Sequence, residues 1–87
     1  MRIDGTTICF KSKPACFILE LGGKKPNTLR VLNGPELDEF KKVKSSLTWI
    51  SIEDIGTGIS FERLLTDISH IDWFIGDGQL YVFSWSK

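Results

Sequence analysis

Histidine is almost missing from this chain: His70 is the sole one, and there are two cysteines. Zinc sites draw their ligands mainly from Cys and His, and a Ser-His-Asp set needs a histidine as base, so both chemistries rest on His70. No apolar run approaches the roughly 20 residues of a membrane-spanning helix, and no repeat or low-complexity segment interrupts the chain. The start, Met1-Arg2-Ile3-Asp4-Gly5, lacks the apolar core of a signal peptide, so a cytoplasmic setting is expected. Net charge is also absent, since 11 Lys/Arg balance 11 Asp/Glu. A nucleic-acid binder shows a basic surplus and a DNA mimic an acidic one. Nucleic acid is therefore not the expected partner, and no membrane association is expected.

What is present is the core of one small domain, residues 1–87. A chain of this size buries only about 60 to 70% of its unfolded surface. Self-association is an easy way to hide surplus apolar area, and a homo-oligomer is expected. The charge is uneven along the chain. Residues 1–44 hold nine Lys/Arg against five Asp/Glu, and residues 45–87 hold two against six. Solvated faces are the plain account of both surpluses.

Two runs, Thr6 to Lys11 and Ala15 to Leu21, flank Ser12-Lys13-Pro14 and read as a hairpin. A two-residue loop there sets Cys9 opposite Cys16 and Ile8 opposite Phe17. Ile8, Phe10, Ala15, Phe17 and Leu19 then share the core side. Both thiols are expected free in a cytosolic protein. Gly22 to Asn27 is a loop by composition. It lacks the strand, GxxxxGK[ST] and helix sequence of a phosphate-binding P-loop. A short strand follows over Leu29 to Leu32.

Asn33-Gly34-Pro35 opens a helix over about residues 35–45. Pro35 suits the first turn, where its missing N–H has no helical partner. Glu36, Asp38 and Glu39 complement the positive end of the dipole, and Lys41, Lys42 and Lys44 the negative end. Leu37, Phe40 and Val43 form a narrow apolar stripe. Thr48 to Ile52 reads as a strand. Residues 59–71 fit helical spacing through Phe61, Leu64, Leu65 and Ile68. Thr66, Asp67, Ser69 and His70 are weak helix formers, however, and a strand is the choice. In that hairpin Ile52 pairs with Phe61 and Trp49 with Leu64. A last hairpin turns at Asp77-Gly78 and pairs Ile75 with Leu80, Phe74 with Tyr81 and Trp73 with Val82. Leu80 to Phe83 is apolar on both faces, as in a central strand or one covered by another chain.

No catalytic set stands out in the sequence. Asp67, His70 and Asp72 lie close, but a surface histidine among solvating acids explains them, and no metal or cofactor is expected. Binding is better supported. The three tryptophans and the tyrosine all fall in residues 47–87, too many for one small core to bury. Trp49, Trp73, Tyr81 and Trp85 are therefore candidates for contact, as interface anchors or as platforms for a base. Arg63, a lone cation in an apolar strand face, joins them. Arg30, Lys41 and Lys42 are candidates for holding phosphate.

The segments Ile50-Ser51-Ile52-Glu53-Asp54, Thr57-Gly58, Ser60-Phe61-Glu62-Arg63, Thr66-Asp67-Ile68 and Val82-Phe83-Ser84-Trp85 resemble small accessory proteins encoded by bacteriophages. The resemblance spans residues 29–86. It implies a helix after Arg30-Val31-Leu32, then a strand meander, and a non-catalytic counter-defence role in the host cytoplasm. No residue role carries over from it.

The expected fold is α+β: a mainly antiparallel twisted sheet of about five or six strands with one helix packed across it. The leading functional expectation is a non-enzymatic inhibitor that binds and blocks a host defence protein. The alternative is an oligomeric sponge that sequesters a nucleotide signal, and a small hydrolase acting through His70 ranks last.

Overall fold

Gly5 takes a φ of 61°, a conformation glycine enters without steric cost. It folds Arg2–Asp4 (β1) back against Thr7–Ser12 (β2). The computed structural model describes residues 1–75 and 78–86, with the side chains of 72–75 left aside. After β2 come Pro14–Leu21 (α1), Asn27–Leu32 (β3), Gly34–Val43 (α2) and a 3-10 turn at Lys44–Ser46. Trp49–Asp54 (β4), the long Ser60–Ile75 (β5) and Gly78–Trp85 (β6) complete the chain. The six strands form one sheet in the order β1-β2-β4-β5-β6-β3. Every pairing is antiparallel except β2 with β4. This is the α+β architecture expected, with a second helix.

That helix corrects the first hairpin. Residues 15–21 do not return as a strand, because the two edges of β2 go to β1 and β4. Pro14 instead occupies the first turn of α1, where its fixed φ is helical and no N–H is missed. Phe17 and Glu20, three apart, are its buried residues. Cys9 on β2 and Cys16 on α1 are both free, and Cys16 is not the strand neighbour of Cys9. The parallel β2–β4 pair needs a long crossover, and α1, β3 and α2 are that crossover.

The meander agrees more closely with the sequence. β5 is a strand, with Ile52 opposite Phe61 and Trp49 opposite Leu64 as expected. Asp54 shapes the β4–β5 turn, its Oδ1 accepting from the Gly56 N–H at 2.9 Å and its Oδ2 from the Thr57 hydroxyl at 3.1 Å. The last hairpin is shifted. Ile75 pairs with Gly78 and Phe74 with Gln79, and a bulge after Ile71 sets Leu80 opposite Ile71 and Tyr81 opposite His70. Gly78 thus belongs to the strand. Asp77, the other residue of the expected Asp77-Gly78 turn, lies outside the described residues. Tyr81, Phe83 and Trp85 lie on the core side, and a buried face is what specifies register.

The core lies on the inner face of the sheet. Ile8, Phe10, Ile50, Ile52, Phe61, Tyr81, Phe83 and Trp85 come from strands, and Phe17, Leu37 and Phe40 from the two helices. The sheet curls strongly. Phe10 on β2 and Phe83 on β6 are three strand spacings apart in sheet order, about 14 Å in a flat sheet, yet their rings meet at 5.0 Å. Bulges in β5 after Leu65 and after Ile71 supply bends of the kind that curve a sheet. Among the described residues, no helix is long and apolar enough to cross a membrane. The curl brings the far edge strand, β3, back to β2.

Candidate ligand site at the strand seam

β1 is short. It ends opposite Cys9 and leaves the Lys11 carbonyl of β2 without a strand partner on that edge. Arg30, pointing inward from β3, fills the gap. Its Nη1 donates to the Lys11 carbonyl at 2.8 Å, its Nη2 to Ser12 Oγ at 2.7 Å and its Nε to Thr28 Oγ1 at 3.0 Å. The guanidinium also lies 4.8 Å from the centre of the Phe10 ring, a cation–π contact. Four contacts thus fix one long side chain across the seam. The partners reach it only because the sheet curls, since Lys11 and Ser12 stand 19 and 18 residues away in sequence.

Around Arg30 gather most of the buried polar residues. Ser12, Glu20 and Thr28 are buried, and only Asp54 of that group lies elsewhere, in its own turn. Glu20 is 1% exposed, and neither of its carboxylate oxygens has a hydrogen-bond partner. Burial lowers the Arg30 pKa from its ordinary value, opposed by the negative charge of Glu20. No carboxylate among the described residues stands within 4.0 Å of Arg30. The guanidinium is therefore partly stripped of water, hydrogen-bonded to neutral acceptors and without a contacting counter-ion.

A groove of about 660 Å³ opens beside it, lined by Met1, Arg2, Cys9, Phe10, Lys11, Arg30, Ser51, Glu53 and Ser60. Three cations face one carboxylate. Arg2 sits 3.7 Å from Cys9 Sγ, and that contact raises the Arg2 pKa. Lys11 and Glu53 touch loosely at 4.0 Å, both well exposed. The Met1 ammonium is engaged elsewhere, by Glu36 of α2 at 3.1 Å.

The other expected site residues scatter. Tyr81 and Trp85 are core residues, 4% and 3% exposed, which corrects their reading as surface anchors. Phe40 packs edge-on against Tyr81 at 4.8 Å, Phe61 lies 6.1 Å from Trp85, and the Tyr81 hydroxyl donates to Gln79. Trp49 remains at the surface, 39% exposed, opposite the exposed Leu64 on the outer face. The side chain of Trp73 lies outside the described residues. Arg63 rests its guanidinium 4.9 Å from the centre of the Phe61 ring and donates to the Glu62 carbonyl. Lys41 and Lys42 are exposed at the end of α2. Lys41 lines a second, smaller groove of about 500 Å³ with Lys44, Leu65 and Asp67, where Asp67 offsets the positive charge. His70 stacks on Tyr81 at 4.9 Å, while Asp67 accepts from the Ser69 hydroxyl. Among the described residues, no group of three His, Cys, Asp or Glu is placed to hold a metal.

Among the expected residues whose side chains are described, Arg30 alone lines this groove. Arg2, Cys9, Lys11, Ser51 and Glu53 escaped the sequence reading. Their signal is the alternation of β2 and β4, which turns Cys9, Lys11, Ser51 and Glu53 to one face and the core residues to the other. No protein-family model matches the chain, and no curated protein or solved structure matches it.

The outer face of β3, β6 and β5 carries a separate feature. Leu29 pairs with Val82, and Val31 with Leu80, which pairs in turn with Ile71. Leu29, Val31 and Ile71 are 53%, 43% and 36% exposed, so an uncharged apolar patch stands on the side away from both helices.

Proposed function

We propose that the protein is a non-catalytic binder that takes a small phosphate-bearing anion into the groove at the β2–β3 seam and sequesters it. The carrying observation is Arg30: a desolvated guanidinium, held in place by three hydrogen bonds, with no contacting carboxylate. An incoming anion would supply the missing counter-charge in surroundings where charge-assisted hydrogen bonds are strong. Arg2 and Lys11 extend the positive field to the groove mouth. Pre-fixed donors favour binding because little side-chain freedom is lost on association. The competing expectation, a protein that blocks a host factor, leaned on Tyr81 and Trp85 as surface anchors, and both are in the core. The hydrolase reading depended on His70, which does not line the groove.

Calorimetric titration with inorganic phosphate at low salt tests the reading. The wild-type chain should bind, and Arg2→Ala/Lys11→Ala, two surface changes that spare the core, should weaken binding about tenfold or more, given roughly 1.5–3 kcal/mol per charged hydrogen bond. No binding by the wild-type chain, or equal binding by the double variant, removes the proposal.

A further inference from the structure

The groove is graded in polarity, and strand register sets the gradient. Arg2, Lys11 and Arg30 line one side, from β1, β2 and β3. Glu53 of β4 and Ser60 of β5 line the other. Lys11 is the register partner of Glu53, and Glu53 of Ser60, so these three form a single row across the outer face. With strands about 4.8 Å apart, the row runs from cation to carboxylate to hydroxyl over roughly 10 Å. A carboxylate accepts hydrogen bonds and donates none. Glu53 therefore repels a bare anion and favours a ligand that brings donors to it.

Resting on the anion-binding reading of this groove, we infer that its ligand is bipolar: a phosphate monoester joined to a hydroxyl-bearing, sugar-like part. The phosphate meets Arg2, Lys11 and Arg30, and the hydroxyls donate to Glu53 and exchange hydrogen bonds with Ser60. The volume fits this division. About 660 Å³ exceeds what a phosphate fills and lies within the roughly 300–1,000 Å³ of small-molecule sites. The loose Lys11–Glu53 contact, 4.0 Å between exposed groups, costs little to open, which lets the two side chains take opposite ends of one ligand.

The test compares inorganic phosphate with ribose 5-phosphate on the full chain, as wild type and as Glu53→Gln, by titration calorimetry. Ribose 5-phosphate should bind about tenfold tighter than phosphate to the wild type, the gain of one hydrogen bond to a charged acceptor. Glu53→Gln should erase most of that advantage while leaving phosphate affinity equal or higher. If the variant tightens both probes by the same factor, Glu53 only neutralises Lys11 and the inference falls while the anion site stands. Equal affinity of the wild type for both probes also overturns it. Should neither probe bind the wild type, the anion reading itself fails.

Discussion

α1 and α2 each lay a phenylalanine against the same inner face, and they do so with opposite kinds of sequence. α2 buries Leu37 and Phe40, carries Glu36 in its first turn, and ends on Lys41 and Lys42. Apolar residues point in, charges point out, and the charges complement the dipole. α1 is inverted. Its sole charged residue, Glu20, is buried, while Ile18, Leu19 and Leu21 are 67%, 45% and 44% exposed. No acidic residue opens it and no basic residue closes it. α2 owes its place to local signals and packing together. α1 owes its place to Phe17, to Pro14 and to backbone closure at its end, where Gly22 and Lys25 donate to the carbonyls of Ile18 and Leu19. A helix can thus be imposed by its neighbours when its own pattern does not ask for one.

The largest expected effect breaks the comparison at its anchors. Phe40 is fully buried and packs on Tyr81 at 4.8 Å and Phe83 at 5.6 Å. Phe17 is 4% exposed and meets Phe61 at 5.5 Å. Phe40→Ala should cost about 4 kcal/mol and Phe17→Ala about 3 kcal/mol, within the range for buried aromatics. A domain of this length has roughly 4 to 13 kcal/mol in all, so Phe40→Ala should come close to unfolding it. Urea midpoints of the two variants decide the order. A costlier Phe17→Ala would make α1 the principal anchor and reverse the contrast.

The same contrast explains what was legible in the sequence. α2 could be read because proline, acids, lysines and apolar spacing all agreed. The β4–β5 register could be read because Asp54, Gly56, Thr57 and Gly58 make a turn of defined length, and turn length sets pairing. α1 could not. Ala15, Cys16, Phe17, Ile18 and Leu19 are apolar without a period, and such short runs fit strand and helix alike. The β6 register was misread, by two residues beside the turn and by four from Leu80 onward, because Gly78 pairs within the strand and a bulge follows Ile71, and neither is marked in the apolar run. Arg30 was named for its charge alone. Its partners, the Lys11 carbonyl and Ser12, come from a curl of the whole sheet that no local pattern encodes. Tyr81 and Trp85 were named as contact candidates by counting aromatics, but with a second helix adding to the core both are buried.

A smaller effect concerns the inverted charge. Glu20 is buried with both oxygens unpaired, and an ion without hydrogen-bond partners costs several kcal/mol of lost hydration. Attraction to Arg30 offsets part of this, but the two groups stand beyond salt-bridge distance and the gain falls with separation. Replacing Glu20 by methionine, of similar volume, should therefore stabilise the fold by about 1–2 kcal/mol. A higher urea midpoint checks this. A lower one would mean that the field of Glu20 on Arg30 outweighs its desolvation, and α1 would then hold the seam through charge as well as through Phe17.

The smallest effect lies on the outside of α1. Ile18 is 67% exposed, so most of its side chain stays wet on folding and contributes little to stability. Ile18→Lys adds a residue of good helix propensity and places a charge in an apolar surface. Its unfolding free energy should stay within about 0.5 kcal/mol of wild type, as for surface changes away from special features. The equivalent change at Leu37, 8% exposed on α2, would bury an unpaired ammonium and unfold the chain. The pair of variants measures the inversion directly, because the same substitution of an apolar helix residue is tolerated in one helix and not in the other. A loss above about 1 kcal/mol for Ile18→Lys, beyond the surface range, would show that the outer side of α1 is covered in solution.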